Sequence, residues 1–401
     1  MSTEWGDRVA ALGLRGESAQ LAVRRFSEVE RRFASRFGET SGARAWWIPG
    51  RIEVLGKHTD YGGGRSLLAA VERGFHVLAR PREDGRIRLL DASSNALLGE
   101  TLSRDVVSRP GHWTDYPISV IRRIARDFPS ATTGMDAVIR SSLPPASGLS
   151  SSSALVVASF LPLAHFNQLT HSPTWLREFP TEDHLAGYLG AVENGLGFGS
   201  LPPDQGVGTH GGSEDHTAIL RCQQGRISQY HFLPVAFETS LPLPDGWTFV
   251  IGVSGVHASK TGRVLEHYNA LSAQLSTLLS LWCRETGRTD GSLYQALRSG
   301  PDAAAQLAAL AAHHSQPLAV RFAQFREEVD TIIPGVVAAL AAGDFATVGA
   351  LVDRSQWLAE TALRNQVPET MHLTRRARAL GAAAASAFGA GFGGSVWALV
   401  E

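Results

Sequence analysis

The sequence predicts an α+β fold with two domains. Strand-like runs of apolar and β-branched residues alternate with segments in which apolar residues recur every three or four positions, the spacing of amphipathic helices. A chain of 401 residues also exceeds the length that one hydrophobic core usually serves. Because the composition changes at Pro234–Gly246, we expect an N-terminal domain at residues 1–235 and a C-terminal domain at residues 236–401.

The first part of the chain predicts helices followed by a sheet. Apolar residues at helical spacing, interleaved with arginine and glutamate, predict leading helices within Asp7–Phe37. Strands are expected at Trp46–Val54, Leu67–Ala79 and Ile87–Asp91, and a turn at Pro81–Gly85 separates the last two. Strands joined by short turns are typical of antiparallel pairs, so we expect mixed or antiparallel sheets flanked by helices.

The middle of the chain continues this alternation. His112–Phe128 has the periodicity of an amphipathic helix, and a strand at Met135–Leu143 comes next. Helices are predicted at Ala154–Phe166 and His184–Glu193. The segments that predict further strands are Ala218–Cys222, Ile227–Phe232 and Thr248–Val253.

The last third of the chain predicts mainly helices. Leu265–Cys283 is expected to be one long helix. Ala303–Val352 is rich in alanine and leucine, which are strong helix formers, and is punctuated by Pro334 and Gly343. Ser386–Val400 predicts a pair of strands joined by a glycine-rich turn.

Composition and charge exclude several classes of protein. The formal net charge is -1, so the chain has no basic footprint for nucleic acid or for an anionic membrane. Cys222 and Cys283 lie far apart and form no C-x-x-C, which argues against a disulfide framework and against a zinc site. The first residues lack the pattern of a signal peptide. We therefore expect a cytoplasmic protein with neither nucleic acid nor membrane as a partner.

Pro144–Leu155 is the segment on which the functional interpretation depends. Its prolines end a predicted strand, and Gly148 permits close approach of a ligand to the backbone. Ser150–Ser153 then bring N–H groups to a helix start, where the helix dipole favours an anion such as phosphate. A flexible loop or an ordinary helix cap is the alternative. A nucleophile elbow is excluded, because Ser152 occupies the place of its second glycine.

Pro49–Tyr61 is a glycine-punctuated segment that carries polar side chains. His58 and Asp60 offer a donor and an acceptor to adjacent hydroxyl groups. Buried groups of this kind select strongly for the substrate that pairs with them. Arg51 can supply a fixed positive charge near a reacting oxygen or orient a carboxylate. The alternative for His58 and Asp60 taken alone is an ordinary surface turn.

Phe388–Ser395 contains the spacing G-x-G-x-x-G at Gly389, Gly391 and Gly394. The spacing alone is a weak signal. A Rossmann dinucleotide site also needs a following helix and an acidic residue about 20 positions further on, and this segment lacks both. The alternative is a glycine-rich hairpin that matters only for packing.

Together, the three segments resemble the motifs of the GHMP kinase superfamily, and specifically of its galactokinase-like branch. Pro49–Tyr61 resembles the galactokinase signature, Pro144–Leu155 the phosphate loop, and Phe388–Ser395 the loop that closes the active site. The resemblance implies a two-domain GHMP kinase fold with its active site in the cleft between the domains. It also implies an enzyme that uses ATP and Mg²⁺ to phosphorylate the anomeric hydroxyl of a galactose-like monosaccharide, as a monomer or weak homodimer.

The resemblance further implies roles for individual residues. Gly211–Thr217 is similar to the galactokinase segment that contains the catalytic base, which implies Asp215 as the base and Arg51 as the residue that stabilises charge. The adjacent Glu214 and, more weakly, Asp204 are alternatives for the base. The other implied residues are Lys57, His58, Asp60 and Tyr268 for the sugar, Ser147, Gly148, Leu149, Ser150, Ser151 and Ser152 for ATP, and Ser152 and Glu193 for the metal.

Two positions depart from the galactokinase signature. Glu53 replaces the usual Asn, and Lys57 replaces a Glu that accepts a hydrogen bond from the C6 hydroxyl of the sugar. An ammonium has three donors and no acceptor and pairs best with a carboxylate, so galacturonate or another uronate is an alternative substrate. The simpler interpretation is that Lys57 turns outward or pairs with Glu53. A sugar-sensing pseudokinase that binds sugar and ATP without turnover is the alternative function.

Overall fold

The computed structural model describes residues 3–144, 147–257 and 262–401. Pro145 and Ala146, within the predicted phosphate loop, lie outside the described residues. The described chain forms two compact units that interleave along the sequence. The first comprises described residues of Met1–Gly50, Ala70–Pro144 and Ser150–Gly208, and the second those of Arg51–Ala69, Pro145–Leu149 and Thr209–Glu401. The family-domain boundary after residue 235 stays a prediction, because packing does not divide the chain at a single point.

The leading helices of the first unit are confirmed as α1 (Thr3–Ala11) and α2 (Gly16–Phe37). One stripe of α2, which includes Phe26 and Phe33, is buried against apolar side chains of the sheet of the same unit. Its opposite face carries arginine and glutamate, as the helical periodicity predicts.

Five strands follow these helices: β1 (Arg44–Leu55), β2 (Arg65–Arg82), β3 (Arg86–Asp91), β4 (Leu97–Thr101) and β5 (Gly134–Ser141). In the first unit the strand order is β4-β3-β5-β2. The β3–β5 pair is parallel, whereas β3–β4 and β2–β5 are antiparallel. The mixed sheet is therefore as predicted, although β4 was not predicted.

The helices of the first unit are α3 (Asp115–Asp127), α4 (Ser151–Phe166), α5 (Pro173–Glu178) and α6 (Glu182–Asn194). Most of α4 is buried, and its residues are nearly all apolar after the opening serines. It begins three residues before the predicted helix, at Ser151, because the serines themselves adopt helical geometry.

The second unit corrects one prediction and adds a strand. Ala218–Cys222 was predicted as a strand, but the helix α7 (Glu214–Arg221) covers all of it except the last residue. Ser213 followed by two acidic residues is a helix-start signal, and it overrides the short apolar run behind it. The predicted boundary segment Pro234–Gly246 contains a strand, Ala236–Pro242, whose pattern the flanking prolines obscured.

The sheets of the second unit are antiparallel. In one of them, the first residues of β2 pair with β6 (Arg226–His231), which pairs with β7 (Ala236–Pro242). In the other, β10 (Ser395–Val400) lies between β8 (Thr248–Val253) and β9 (Ala384–Ala387). The strand pair with a glycine-rich turn is thus confirmed, since residues 388–394 connect β9 to β10.

The helices of the second unit are α8 (Gly262–Thr286), α9 (Leu293–Leu297), α10 (Ala303–His314), α11 (Gln316–Glu327), α12 (Ile333–Ala342), α13 (Phe345–Leu358) and α14 (Pro368–Ala379). Pro334 does not interrupt this region. A π-helical turn at Glu328–Ile332 joins α11 to α12 with helical dihedral angles throughout. The wider turn accommodates the proline ring and its missing N–H.

A second π-helical turn, Ala359–Leu363, follows α13. Within the part of the chain that the structure describes, no helix is both long and apolar enough to cross a bilayer. The cytoplasmic location and the monomeric or weakly dimeric state stay predictions.

Candidate active site

Arg51 and Asp215 form an ion pair within the second unit. Nε and Nη2 of Arg51 lie 2.7 and 2.5 Å from Oδ1 of Asp215, and Nη1 donates to the Gly148 carbonyl at 2.6 Å. The guanidinium is buried, with 3% of its side chain exposed, whereas 23% of the Asp215 side chain is exposed. The pair therefore combines a partly exposed carboxylate, which a ligand can reach, with a buried guanidinium.

The elements that position this pair explain its rigidity. Arg51 lies on β1, and its N–H donates to the carbonyl of Leu149 at 3.4 Å. Asp215 lies in the first turn of α7, where the helix dipole favours a carboxylate. The strand and the helix start thus fix both charges by backbone geometry.

The predicted sugar-binding residues His58, Asp60 and Tyr268 also lie in the second unit. The imidazole of His58 contacts the Tyr61 hydroxyl at 3.0 Å through Nδ1 and the Ala390 carbonyl at 3.1 Å through Nε2. The ring of Tyr268 lies 5.3 Å from that imidazole, centroid to centroid. His58 has a φ of +59°, a left-handed conformation that is uncommon outside glycine and is often found at functional sites.

Asp60 is held by two backbone donors. Its Oδ1 accepts from the N–H of Tyr61 at 2.9 Å, and its Oδ2 accepts from the N–H of Glu214 at 3.1 Å. Gly212 approaches this carboxylate so closely that a Cβ there would lie 2.3 Å from Oδ2. Because of this contact with Asp60, no residue with a Cβ fits at Gly212 unless the carboxylate moves.

Lys57 does not turn outward. Its side chain is fully buried, and its ammonium donates to Ser386 at 2.7 Å and to Ser355 at 3.2 Å. Burial lowers the pKa of Lys57, and the carboxyl groups of Glu328 and, less strongly, Glu53 oppose that shift. The largest electrostatic partner of Lys57 is therefore Glu328, on the π-helical turn.

Three buried glutamates surround these charges. Glu328 accepts from the N–H of Gly56 at 3.1 Å and from the Ser355 hydroxyl at 2.9 Å, while Glu214 accepts from the Ser66 hydroxyl at 2.7 Å. Burial raises the pKa of Glu328 and raises that of Glu214 well above its usual range. Burial also raises the pKa of Glu53 to about 7, against the opposing effect of Arg51.

The geometry separates the two leading candidates for the base. Glu214 is 5% exposed and its carboxyl group is bound by Ser66, whereas the Asp215 side chain is partly exposed and lies against Arg51. Asp204, the weaker alternative, belongs to the first unit and pairs with Arg122 at 2.6 Å. This arrangement favours Asp215.

The first part of the phosphate loop, Ser147–Leu149, packs against the glycine-rich turn of the same unit. Gly148 has a φ of +76°, and a Cβ on it would lie 3.3 Å from the carbonyl oxygen of Phe388. A Cβ on Gly389 would lie 3.2 Å from the Gly148 carbonyl oxygen, and one on Gly394 would lie 3.4 Å from backbone atoms of Ser147. The two backbone segments are therefore in close contact, and a larger residue at any of these glycines would require them to shift by a few tenths of an ångström.

The second part of the phosphate loop opens α4 in the first unit. Ser150 adopts a left-handed conformation at the N-cap, and no side chain caps the helix. Its hydroxyl oxygen is buried and bonds to no group of the described chain. An uncapped start of a 16-residue helix with buried serine oxygens suits an anion such as phosphate.

The predicted metal residues, Ser152 and Glu193, also belong to the first unit. Glu193 is buried and accepts from the Ser153 hydroxyl at 2.8 Å, whereas Ser152 hydrogen-bonds Tyr116. A carboxylate and serine hydroxyls are the oxygen donors that Mg²⁺ prefers, and the ion usually keeps water and substrate phosphate as its other ligands. These residues fit such an ion, although among the described residues no group of three or more His, Cys, Asp or Glu could bind a metal.

Several residues that support the site were not predicted from the sequence. Ser355 and Ser386 bind the Lys57 ammonium, Glu328 faces it, and Arg321 donates to the Tyr61 hydroxyl at 3.1 Å and to the His58 carbonyl. All four lie in alanine- or leucine-rich segments whose periodicity predicts only helix or strand. The one available signal was a lone serine within the alanine run of β9.

Three family models match the sequence. The model for the galactose-binding signature of galactokinases matches residues 31–81. Those for the N-terminal and C-terminal domains of GHMP kinases match residues 115–196 and 336–401.

Curated relatives agree with these matches. A galactokinase from Roseiflexus sp. is 30% identical over 359 residues, which is 88% of this chain and 82% of that protein. A galactokinase from Streptococcus mutans is 38% identical over 130 residues, 32% of this chain and 33% of that protein. The chain thus aligns with about a third of the length of the Streptococcus mutans and Bacillus subtilis galactokinases.

Solved structures confirm the predicted α+β fold. The galactokinase of Lactococcus lactis complexed with galactose has a TM-score of 0.75 at 23% identity, covering 92% of this chain and 89% of that one. The mevalonate kinase of Methanococcus jannaschii has a TM-score of 0.54 at 15% identity, covering 89% and 90% of the two chains.

Proposed function

Because this chain belongs to the galactokinase family of the GHMP kinases, we propose that it transfers the γ-phosphoryl group of ATP to the anomeric hydroxyl of a galactose-like monosaccharide. The observation that carries the proposal is the Arg51–Asp215 pair, in which a buried guanidinium holds an accessible carboxylate. Phosphoryl transfer depends mostly on positioning and on stabilisation of charge. This pair supplies a proton acceptor and a fixed cation at one place.

In the proposed reaction, the carboxylate of Asp215 accepts the proton of the anomeric hydroxyl as that oxygen attacks the γ-phosphorus. Arg51 stays protonated at all ordinary pH values, so its charge stabilises the negative charge of the transferring group. His58 and Asp60 orient the sugar hydroxyls through donor and acceptor groups that other contacts already hold in place. Tyr268 covers the imidazole from one side.

The phosphates of ATP are assigned to residues 147–152. The uncapped start of α4, with Ser150, Ser151 and Ser152, supplies N–H donors and a favourable helix dipole. Gly148 lets the backbone come close to the phosphate chain. Mg²⁺ would be held by Ser152 and Glu193, and it would offset the negative charge of the phosphates when bound.

A neutral hexose is favoured over a uronate as the acceptor. A uronate requires an ammonium that faces the ligand, but two of the three donors of Lys57 bond to Ser355 and Ser386, and its side chain is buried. Comparing phosphorylation of galactose and galacturonate by wild type and Lys57→Glu tests this point. A wild-type preference for galacturonate that Lys57→Glu reverses would establish the uronate instead.

The main test is an assay of the purified protein with ATP, Mg²⁺ and a panel of neutral hexoses, pentoses and uronates. We expect ADP formation with galactose and a product phosphorylated at the anomeric position, identified by ³¹P and ¹³C NMR. Stabilisation against heat by sugar and ATP without ADP formation would replace the kinase with the sugar-sensing pseudokinase. Phosphorylation at another hydroxyl would refute the assignment of the acceptor.

A further inference from the structure

Two buried carboxyl groups lie next to each other and next to the Arg51–Asp215 pair. They belong to Glu53 on β1 and Glu214 on α7, which are 4% and 5% exposed. Their Oε2 atoms accept from Gly389 N–H at 3.2 Å and from the Ser66 hydroxyl at 2.7 Å. Their Oε1 atoms are buried and accept from no donor within the described chain. A carboxylate has no donor, so a hydrogen bond between the two groups requires one proton.

The surrounding charges lead to the same conclusion. The charged and titratable groups that face the two glutamates are Arg51, Lys57, Asp60, Tyr61, Asp215 and Cys222. If every acid were ionised, five carboxylates (Asp60, Asp215, Glu53, Glu214, Glu328) would face two cations (Arg51, Lys57).

The cations are already engaged. Arg51 contacts Asp215, and the strongest electrostatic partner of Lys57 is Glu328. Asp60 is stabilised as a carboxylate by two backbone N–H groups. Glu53 and Glu214 are therefore the acids that lack a cation of their own, and burying both as anions would be strongly unfavourable.

We infer that Glu53 and Glu214 share one proton and act together as positioning residues for the Arg51–Asp215 pair. With one proton between them, they carry a single negative charge near Arg51, and the guanidinium stays on Asp215. Without that proton, two carboxylates compete with Asp215 for the same guanidinium. This inference rests on the proposed kinase function only for its consequence in turnover.

The shared proton gives turnover a pH dependence of its own. Burial raises the pKa of Glu53 to about 7, and burial together with the Glu53 charge raises the pKa of Glu214 well above its usual range, so Glu53 ionises first and the shared proton is lost only at a higher pH. We expect kcat of wild type for galactose to fall by about tenfold above this pH, the usual size of coupling between neighbouring buried charges. Glutamine mimics the protonated acid and does not titrate, so Glu53→Gln and Glu214→Gln should each lack this fall.

A second measurement does not depend on turnover. At pH values between the pKa of an unfolded glutamate and about 7, the native state binds more protons than the unfolded state. The pair therefore makes the free energy of unfolding decrease as pH rises through this range. The urea midpoint of wild type should therefore fall between pH 5 and pH 8 by more than that of either glutamine variant. If wild type phosphorylates no sugar, the proposed function fails, while this comparison still tests the shared proton.

The matched control is Glu328→Gln, which removes another buried carboxyl group of the same unit whose main partner is Lys57. It should change the pH dependence of the urea midpoint and leave the alkaline fall in kcat in place. Equal pH dependence of stability in wild type and both pair variants would overturn the inference. Loss of turnover at every pH in Glu214→Gln would also overturn it, because that result makes Glu214 the base.

Discussion

Asp215→Asn isolates the group to which we assign the proton. The change keeps the shape of the side chain and one oxygen that Arg51 can contact, but it removes the charge and the basicity. General-base catalysis contributes about 10²- to 10⁴-fold in rate, which corresponds to roughly 3–5 kcal/mol of barrier. We expect kcat for galactose to fall by this factor while the Kd for ATP changes little.

The same variant leaves the Arg51 guanidinium without its carboxylate. Breaking a buried ion pair typically costs about 3–5 kcal/mol of unfolding free energy. The cost here should be smaller, about 2 kcal/mol, for two reasons. The Asp215 side chain is 23% exposed, and Glu53 and Glu214 can supply a compensating negative charge by releasing their proton.

The assay couples ADP release to an absorbance change at saturating ATP, with ATP binding followed by calorimetry. Asp204→Asn is the matched control, since it also removes the aspartate of an Arg–Asp pair of comparable burial, with 13% of the Asp204 side chain exposed. We expect that control to retain turnover. Turnover of Asp215→Asn within tenfold of wild type would refute Asp215 as the base.

Three further predictions concern groups beside or away from this pair. Lys57→Met should lower the unfolding free energy by about 3 kcal/mol, because Glu328 loses its buried cation, and urea unfolding measures the loss. Gly212→Ala should raise KM for galactose by about tenfold or more, since its Cβ would displace the Asp60 carboxylate. Burial lowers the pKa of His76 to about 4, so stability should fall by up to about 3 kcal/mol as urea unfolding is repeated from pH 6.5 down to pH 4.

Each of these predictions has its own control. Adding Glu328→Gln to Lys57→Met should restore much of the lost stability, and simple addition of the two losses would contradict the pairing. Gly99→Ala introduces a Cβ that meets nothing within 4 Å and should leave KM unchanged. His76→Gln cannot titrate, so an acid-induced loss equal to that of wild type would exclude His76 as its source.

Local pattern was sufficient for most of the fold. The periodicity of α2 and α3 and the strand pair β9–β10 could be predicted because each is specified by its own sequence. Ala218–Cys222 was predicted incorrectly because a helix-start signal several residues earlier outweighed its apolar run. The helix across Pro334 was missed because a π turn depends on how neighbouring helices pack.

The sequence likewise predicted some residues of the candidate site and missed others. Arg51, His58, Asp60 and Asp215 were identifiable because they lie in short motifs, and the structure brings them into one unit. The environment of Lys57 was not identifiable, since its contacts come from residues about 300 positions away in helical or strand segments without a motif. The effect of a substitution within a motif is therefore hard to interpret from sequence, because tertiary packing determines which residues the new side chain contacts.

The distance in sequence between contacting residues also has a consequence for synthesis. Glu53 contacts Gly389 across 336 positions, and Lys57 contacts Ser386 across 329. At a translation rate of about 5–20 residues per second, roughly 15 to 70 s pass between the appearance of such partners. The charged groups of β1 and the signature loop must stay hydrated on the ribosome during that interval. The unit that contains Arg51 and Asp215 can therefore complete its packing only after β9 and β10 have been synthesised.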